Sequence, residues 1–120
     1  MESTVKIWLD DDGIARIDYG NCDEITVNVL MHINNNLKNL SNTPLPILSF
    51  GYKLRKIDYN AHEFMASMAF KSSRKAIAVI VGHQAKLLLN DIQQPAIELG
   101  IPFKLFTSET EAVTWLKQYI

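Results

Sequence analysis

Apolar residues along the chain switch between a period of two and a period near 3.6, and the switches mark out the elements. Val5, Ile7 and Leu9 alternate with Thr4, Lys6 and Trp8, which predicts a strand over Thr4 to Leu9. Asp10-Asp11-Asp12-Gly13 follows, a tight-turn sequence whose glycine tolerates positive φ. Ile14 to Tyr19 returns as a second strand, so the chain opens on an antiparallel hairpin. From Thr26 to Leu40, the residues Val27, Leu30, Ile33, Leu37 and Leu40 recur at steps of three and four. They predict a helix with that stripe inward and with Asn34, Asn35, Lys38 and Asn39 mostly turned away from it. Leu45 to Phe50, set between Pro44 and Gly51, reads as a short buried strand.

Tyr52 to Tyr59 predicts a loop carrying Lys53, Arg55 and Lys56. Asn60 and Glu63 stand at capping-box spacing, so Asn60 is expected to cap a second helix. Its buried stripe would be Phe64, Met65, Met68 and Ala69. Ala76 to Val81 is continuously apolar and rich in Val and Ile, the pattern of an interior parallel strand covered on both faces. A third helix is expected from Ala85 to about Leu99, bent or broken at Pro95, with Gly100 as its stop. Pro102 to Phe106 forms the last strand. Ser108 with Glu111 then caps a final helix built on Ala112, Val113, Leu116 and Tyr119. The order is ββαβαβαβα. It predicts an α/β fold with a mixed sheet of about five strands: an opening hairpin, then strands and helices alternating through right-handed crossovers.

Composition narrows the role. A chain of 120 residues, 48% hydrophobic and 21% charged, suits one domain over residues 1–120 with its own core. A net charge of -1 provides no overall basic field, so nucleic acid is not an expected partner. Cys22 is the only cysteine, which excludes an intrachain disulfide and fits a reducing, cytoplasmic setting. Residues 1–6 lack the pattern of a signal peptide, and no apolar run reaches the ~20 residues of a membrane helix.

The element order resembles the STAS, or anti-sigma-factor-antagonist-like (SpoIIAA-like), fold. The resemblance is strongest from Leu45 to Leu116. It is carried by Ile47-Leu48-Ser49-Phe50, by the basic loop running into Ile57-Asp58-Tyr59-Asn60-Ala61-His62-Glu63-Phe64, and by Ala76 to Val81. Pro102-Phe103-Lys104-Leu105-Phe106 through Ala112-Val113-Thr114-Trp115-Leu116 is also similar, as in an uncharacterised bacterial branch of the group. The resemblance implies a non-catalytic regulatory module that contacts an unidentified protein through the loop entering the second helix. Such antagonists carry a phosphorylatable serine where that helix begins. Asn60 holds the matching position here and has no hydroxyl to accept a phosphate.

No catalytic constellation accompanies the fold. Asp10, Asp11 and Asp12 miss calcium-loop spacing, because Ile14 stands where a ligand is needed, and turn chemistry accounts for them. His32, His62 and His83 fall in different elements, so no metal is expected. Cys22 precedes Asp23 and Glu24, a setting that opposes a reactive thiolate. Walker, Rossmann and Gly-x-Ser-x-Gly patterns are absent, and no cofactor is expected. Parallel sheets present their strand C-termini to ligands. That places Lys53, Arg55, Lys56, Asp58, Asn60 and His62 on one candidate face, with His83 and Gln84 from the next strand end. Arg74 and Lys75 precede a strand and belong at the opposite end. An acidic partner fits this face. So does a small anionic or lipid ligand, which is the alternative function, while a solvated loop is the plainer account. Trp8, Trp115 and Tyr119 suggest either a partner surface or core packing. The hairpin edge offers a route to a homodimer.

Overall fold

The structure, a computed structural model, describes residues 5–83 and 93–120. In chain order the elements are β1 (Lys6–Leu9), β2 (Ala15–Asp18), β3 (Glu24–Ile25), α1 (Val27–Leu40), β4 (Leu45–Phe50), β5 (Lys56–Ile57), α2 (Tyr59–Phe64), α3 (Met68–Lys71), β6 (Arg74–Ile80), α4 (Gln94–Glu98), β7 (Phe103–Phe106) and α5 (Glu109–Leu116), with a 3-10 turn over Lys117–Tyr119. Five strands form one sheet in the order β1-β2-β4-β6-β7. The β1–β2 pair is antiparallel and the other pairs are parallel. The apolar run at Ala76 to Val81 therefore lies inside the sheet, between β4 and β7.

Residue parity divides the core. Ile17, Ile47, Ile77 and Val79 face one side, where Leu30, Ile33 and Leu37 of α1, Ala61 of α2, Phe70 of α3 and Ala96 of α4 cover them. Leu48, Ala76, Ala78 and Ile80 face the other side, under Ala112 and Leu116 of α5. Trp115 packs there against Phe106 and Tyr119, so both residues of the final helical segment serve the core, while Trp8 on the edge strand stays exposed.

Three expectations change. The second helix starts and ends differently. Asp58, not Asn60, is the N-cap: its Oδ1 accepts from Ala61 N at 2.7 Å. The helix also stops after Phe64. Ser67 Oγ donates to Phe64 O at 2.6 Å and accepts from Phe70 N at 3.2 Å, so it ends one helical segment and starts another. Phe70 then takes the buried place, and Met68 is left 67% exposed. Asn34 is the second change. It is buried rather than turned away, because it lies four residues from Leu30 on the flank of the apolar stripe. The third is a small parallel ribbon, β3 with β5, inside what reads as loop. Of the third helix only Gln94–Glu98 is described, with Pro95 in its first turn, where a missing N–H costs nothing. The expected helical residues 85–92 lie outside the described residues, as does Gln84. Gly100 ends this helix at φ +84.

The hairpin is held by charge as well as by its turn. Gly13 takes φ +83, and Arg16 reaches back with Nη1 and Nη2 to the two Asp12 carboxylate oxygens, each at 2.9 Å. Asp10 lies 3.2 Å from the same guanidinium. The bonds to Arg16 hold the Asp12 carboxyl below its ordinary value. A lowered folded-state value means that the stabilisation is complete above the unfolded carboxylate pKa, near about 4, and is lost as pH falls through the lowered one. Asp12→Asn should therefore cost about 0.5–1 kcal/mol in urea unfolding at neutral pH and distinctly less near about pH 2. An equal cost at both pH values would contradict this account.

Candidate functional site

The candidate face grows out of two neighbouring strand ends. Phe50 pairs in register with Ile80, and Gly51 N donates to Ile80 O at 2.8 Å. The loop after β4 and residues Val81 to His83 therefore leave the sheet side by side. Directly after Gly51 the chain turns, with Leu54 N bonded to Gly51 O at 3.1 Å. Leu54 is fully buried, and it fits only because position 51 has no side chain: a β-carbon there would lie 2.5 Å from Leu54 Cδ1.

Beyond Leu54 the backbone is pinned to the segment after β2. Arg55 N and Lys56 N both donate to Asp23 O, at 2.8 and 3.3 Å, and Asp58 N donates to Ile25 O at 3.0 Å. The ribbon places Lys56 opposite Glu24 and Ile57 opposite Ile25. Asp58 spends its carboxylate on the α2 cap. The result is a well-anchored lip with exposed side chains at Lys53, Arg55, Lys56 and Asn60. His62 is half-buried on α2, and His83 is exposed at the end of β6. The six positions from Lys53 to His62 thus share one lip by chain continuity, and His83 stands at the adjoining strand end.

Two residues that the sequence reading did not select stand out here. Tyr52 and Tyr59 bracket the basic run, and they are 59% and 75% exposed. The signal available in the sequence was an aromatic residue at each margin of the cationic loop. The local charge is also mixed, since Asp23 and Glu24 run alongside Arg55 and Lys56. Cys22, just before them, sits in a setting that disfavours the thiolate. Burial pushes its thiol pKa up, and the neighbouring negative charges of Asp23 and Glu24 act in the same direction; its S–H donates to Glu24 O at 3.1 Å. Among the described residues, no group of three His, Cys, Asp or Glu side chains could hold a metal ion, and no helix is long and apolar enough to cross a membrane.

Arg74 does lie at the far end of the sheet, paired with Leu45, but it points inward and is 4% exposed. The register shifts between Leu45 and Pro46, so one step along β4 spans Arg74 to Ala76 on β6. That bulge takes up Lys75 and gives Arg74 the face of Ile77 rather than that of Ala76. There its Nη1 lies 2.9 Å from Asn34 Oδ1, 3.0 Å from Phe70 O and 3.1 Å from Ser73 Oγ. Burial lowers its pKa to about 10, so it stays charged at neutral pH.

Comparison with known proteins fits this architecture. Residues 7–120 match the model of a family described as a domain of unknown function, DUF7793. The chain belongs to that family. A crystal structure described as an uncharacterized protein from the DUF3478 family with a SpoIIAA-like fold, from Shewanella loihica PV-4, is similar to the DUF7793 chain. The two share 15% identity at a TM-score of 0.60, over 94% of this chain and 92% of that one. At that identity the likeness establishes the SpoIIAA-like fold that the element order resembles. No curated protein matches the DUF7793 chain.

Proposed function

We propose that this DUF7793 chain is a non-catalytic regulatory module that binds another protein through the lip from Tyr52 to Asn60. One observation carries the reading: two exposed tyrosines flank three cations on a backbone tied to Asp23 and Ile25. Tyrosine and arginine are enriched among the residues that dominate binding energy, and a pre-ordered loop loses little entropy when it docks. The mixture of Asp23, Glu24, Lys53, Arg55 and Lys56 favours a protein surface of alternating charge over a free polyanion. Asn60, in the second position of α2, has no hydroxyl to accept a phosphate.

The test is affinity capture from native lysate with the wild-type chain and with a Tyr52→Ala/Tyr59→Ala/Arg55→Glu variant. The variant should keep its melting temperature, because all three side chains are exposed, and should lose the proteins that the wild type retains. An identical set of captured proteins with the folded variant would remove the lip as the contact surface.

A further inference from the structure

The helix-covered face of the sheet contains a charge that the lip does not use. Among the described residues, no carboxylate comes within ion-pair distance of Arg74; the ion pairs there belong to Arg16. Among the described residues, the hydrogen bonds that hold Arg74 leave from Nη1 and end on neutral oxygens, those of Asn34, Ser73 and Phe70. The Phe70 ring lies 3.9 Å from the guanidinium carbon. Tyr19 is the phenol whose field Arg74 feels, and burial pushes its pKa up to about 12. It is therefore neutral at physiological pH and supplies no counter-charge. With neutral dipoles alone facing it among the described residues, the buried cation keeps most of its desolvation cost.

Arg74 also lines a cavity of about 30 Å³ between the sheet and the helices. Ile47, Met65, Phe70 and Ile77 form much of its wall, and Ser49 contributes a hydroxyl-bearing side chain. That volume admits a particle about the size of a water molecule. Inside such low-dielectric walls, an opposite charge near a guanidinium is attracted far more strongly than in water.

We infer that this cavity binds one monatomic monovalent anion of about chloride size as counter-ion to Arg74. Size selects the ligand: phosphate, sulfate and carboxylic acids, formate included, exceed the space. Charge selects it as well, because one negative charge balances one guanidinium and a second would be buried without a partner.

Thermal unfolding in sodium chloride, sodium formate and sodium gluconate at matched ionic strength tests this. Gluconate, with its six carbons, cannot enter and so reports the general salt effect. Chloride should raise the melting temperature by several degrees more than formate or gluconate, with saturation, because a ligand of the native state stabilises it by mass action. Formate, monovalent but polyatomic, reports whether size decides. Chloride-35 NMR gives a readout that needs no variant: native protein should broaden the chloride resonance beyond heat-unfolded protein. Arg74→Met, which keeps the length and removes the charge, should abolish both effects; if it does not fold, the wild-type line width decides alone. Equal melting temperatures in the three salts without excess broadening would overturn the proposal, as would broadening that persists in a folded Arg74→Met chain.

Discussion

Arg74→Ala should lower the unfolding free energy by about 2–5 kcal/mol, among the largest losses that any single substitution can cause in this chain. The guanidinium bridges three acceptors from three elements: Asn34 on α1, Phe70 at α3 and Ser73 ahead of β6. Truncation leaves Phe70 O without this donor inside the core, and each buried polar group so orphaned costs about 1–3 kcal/mol. Asn34 Oδ1 keeps the bond from Ser73 Oγ at 2.8 Å, which limits the damage on that side. The lost side chain also uncovers Phe70 and enlarges the neighbouring cavity. A domain with about 5–15 kcal/mol in total would then sit near the edge of folding at body temperature. Arg74→Met should cost distinctly less, because it preserves volume and removes the buried charge together with its bonds. Urea unfolding of the two variants checks the argument. A loss under about 1 kcal/mol for Arg74→Ala would mean that the network contributes little net stability.

Leu54→Ala should cost about 2.7–5 kcal/mol, the range for a leucine removed from a rigid core. Its signature would be local as well as global. Leu54 is the apolar anchor between Gly51 and the pinned stretch at Arg55 and Lys56, and it packs in the main core cluster. Without it, the bonds from Arg55, Lys56 and Asp58 to Asp23 O and Ile25 O must hold the lip alone. Amide hydrogen exchange at those three positions should accelerate more than exchange in β6. Uniform acceleration, with the lip no more affected than the sheet, would show that Leu54 supports the core and not the lip. The reciprocal change, Gly51→Ala, forces a methyl against the same side chain and should loosen the same amides.

The sheet was legible because its interior strands carry their own punctuation. Leu45 to Phe50 has Pro44 before it and Gly51 after it, and the observed bounds coincide with the expected ones. The run at Ala76 is too apolar and too short to be anything but an interior strand. Ser108 caps α5 as its spacing with Glu111 implied, through a 3.4 Å bond from Glu111 N. What failed depends on residues far apart in sequence. Asn60 was the expected cap from its spacing to Glu63, whereas the cap is Asp58, whose backbone is held by Ile25 O. The burial of Asn34 follows from a partner 40 positions away. Arg74 turns inward through a bulge, which alternation alone cannot anticipate. The two-residue strands β3 and β5 are too short to show a period. Of the lip, the cations were visible as a polar loop, whereas tyrosine is intermediate in burial and its exposure had to be seen.

The parallel pairing of β2, β4, β6 and β7 also dictates how the chain must come together. No strand after the opening hairpin reaches its neighbour through a tight turn; each waits for an intervening crossover to be made. As the polypeptide emerges from a ribosome, β4 has β2 beside it but an open apolar margin on the other flank, and it stays so until β6 arrives. β6 in turn waits for β7. Nascent chains therefore pass through a window of unpaired apolar edges before completion, the condition under which parallel sheets are exposed to aggregation.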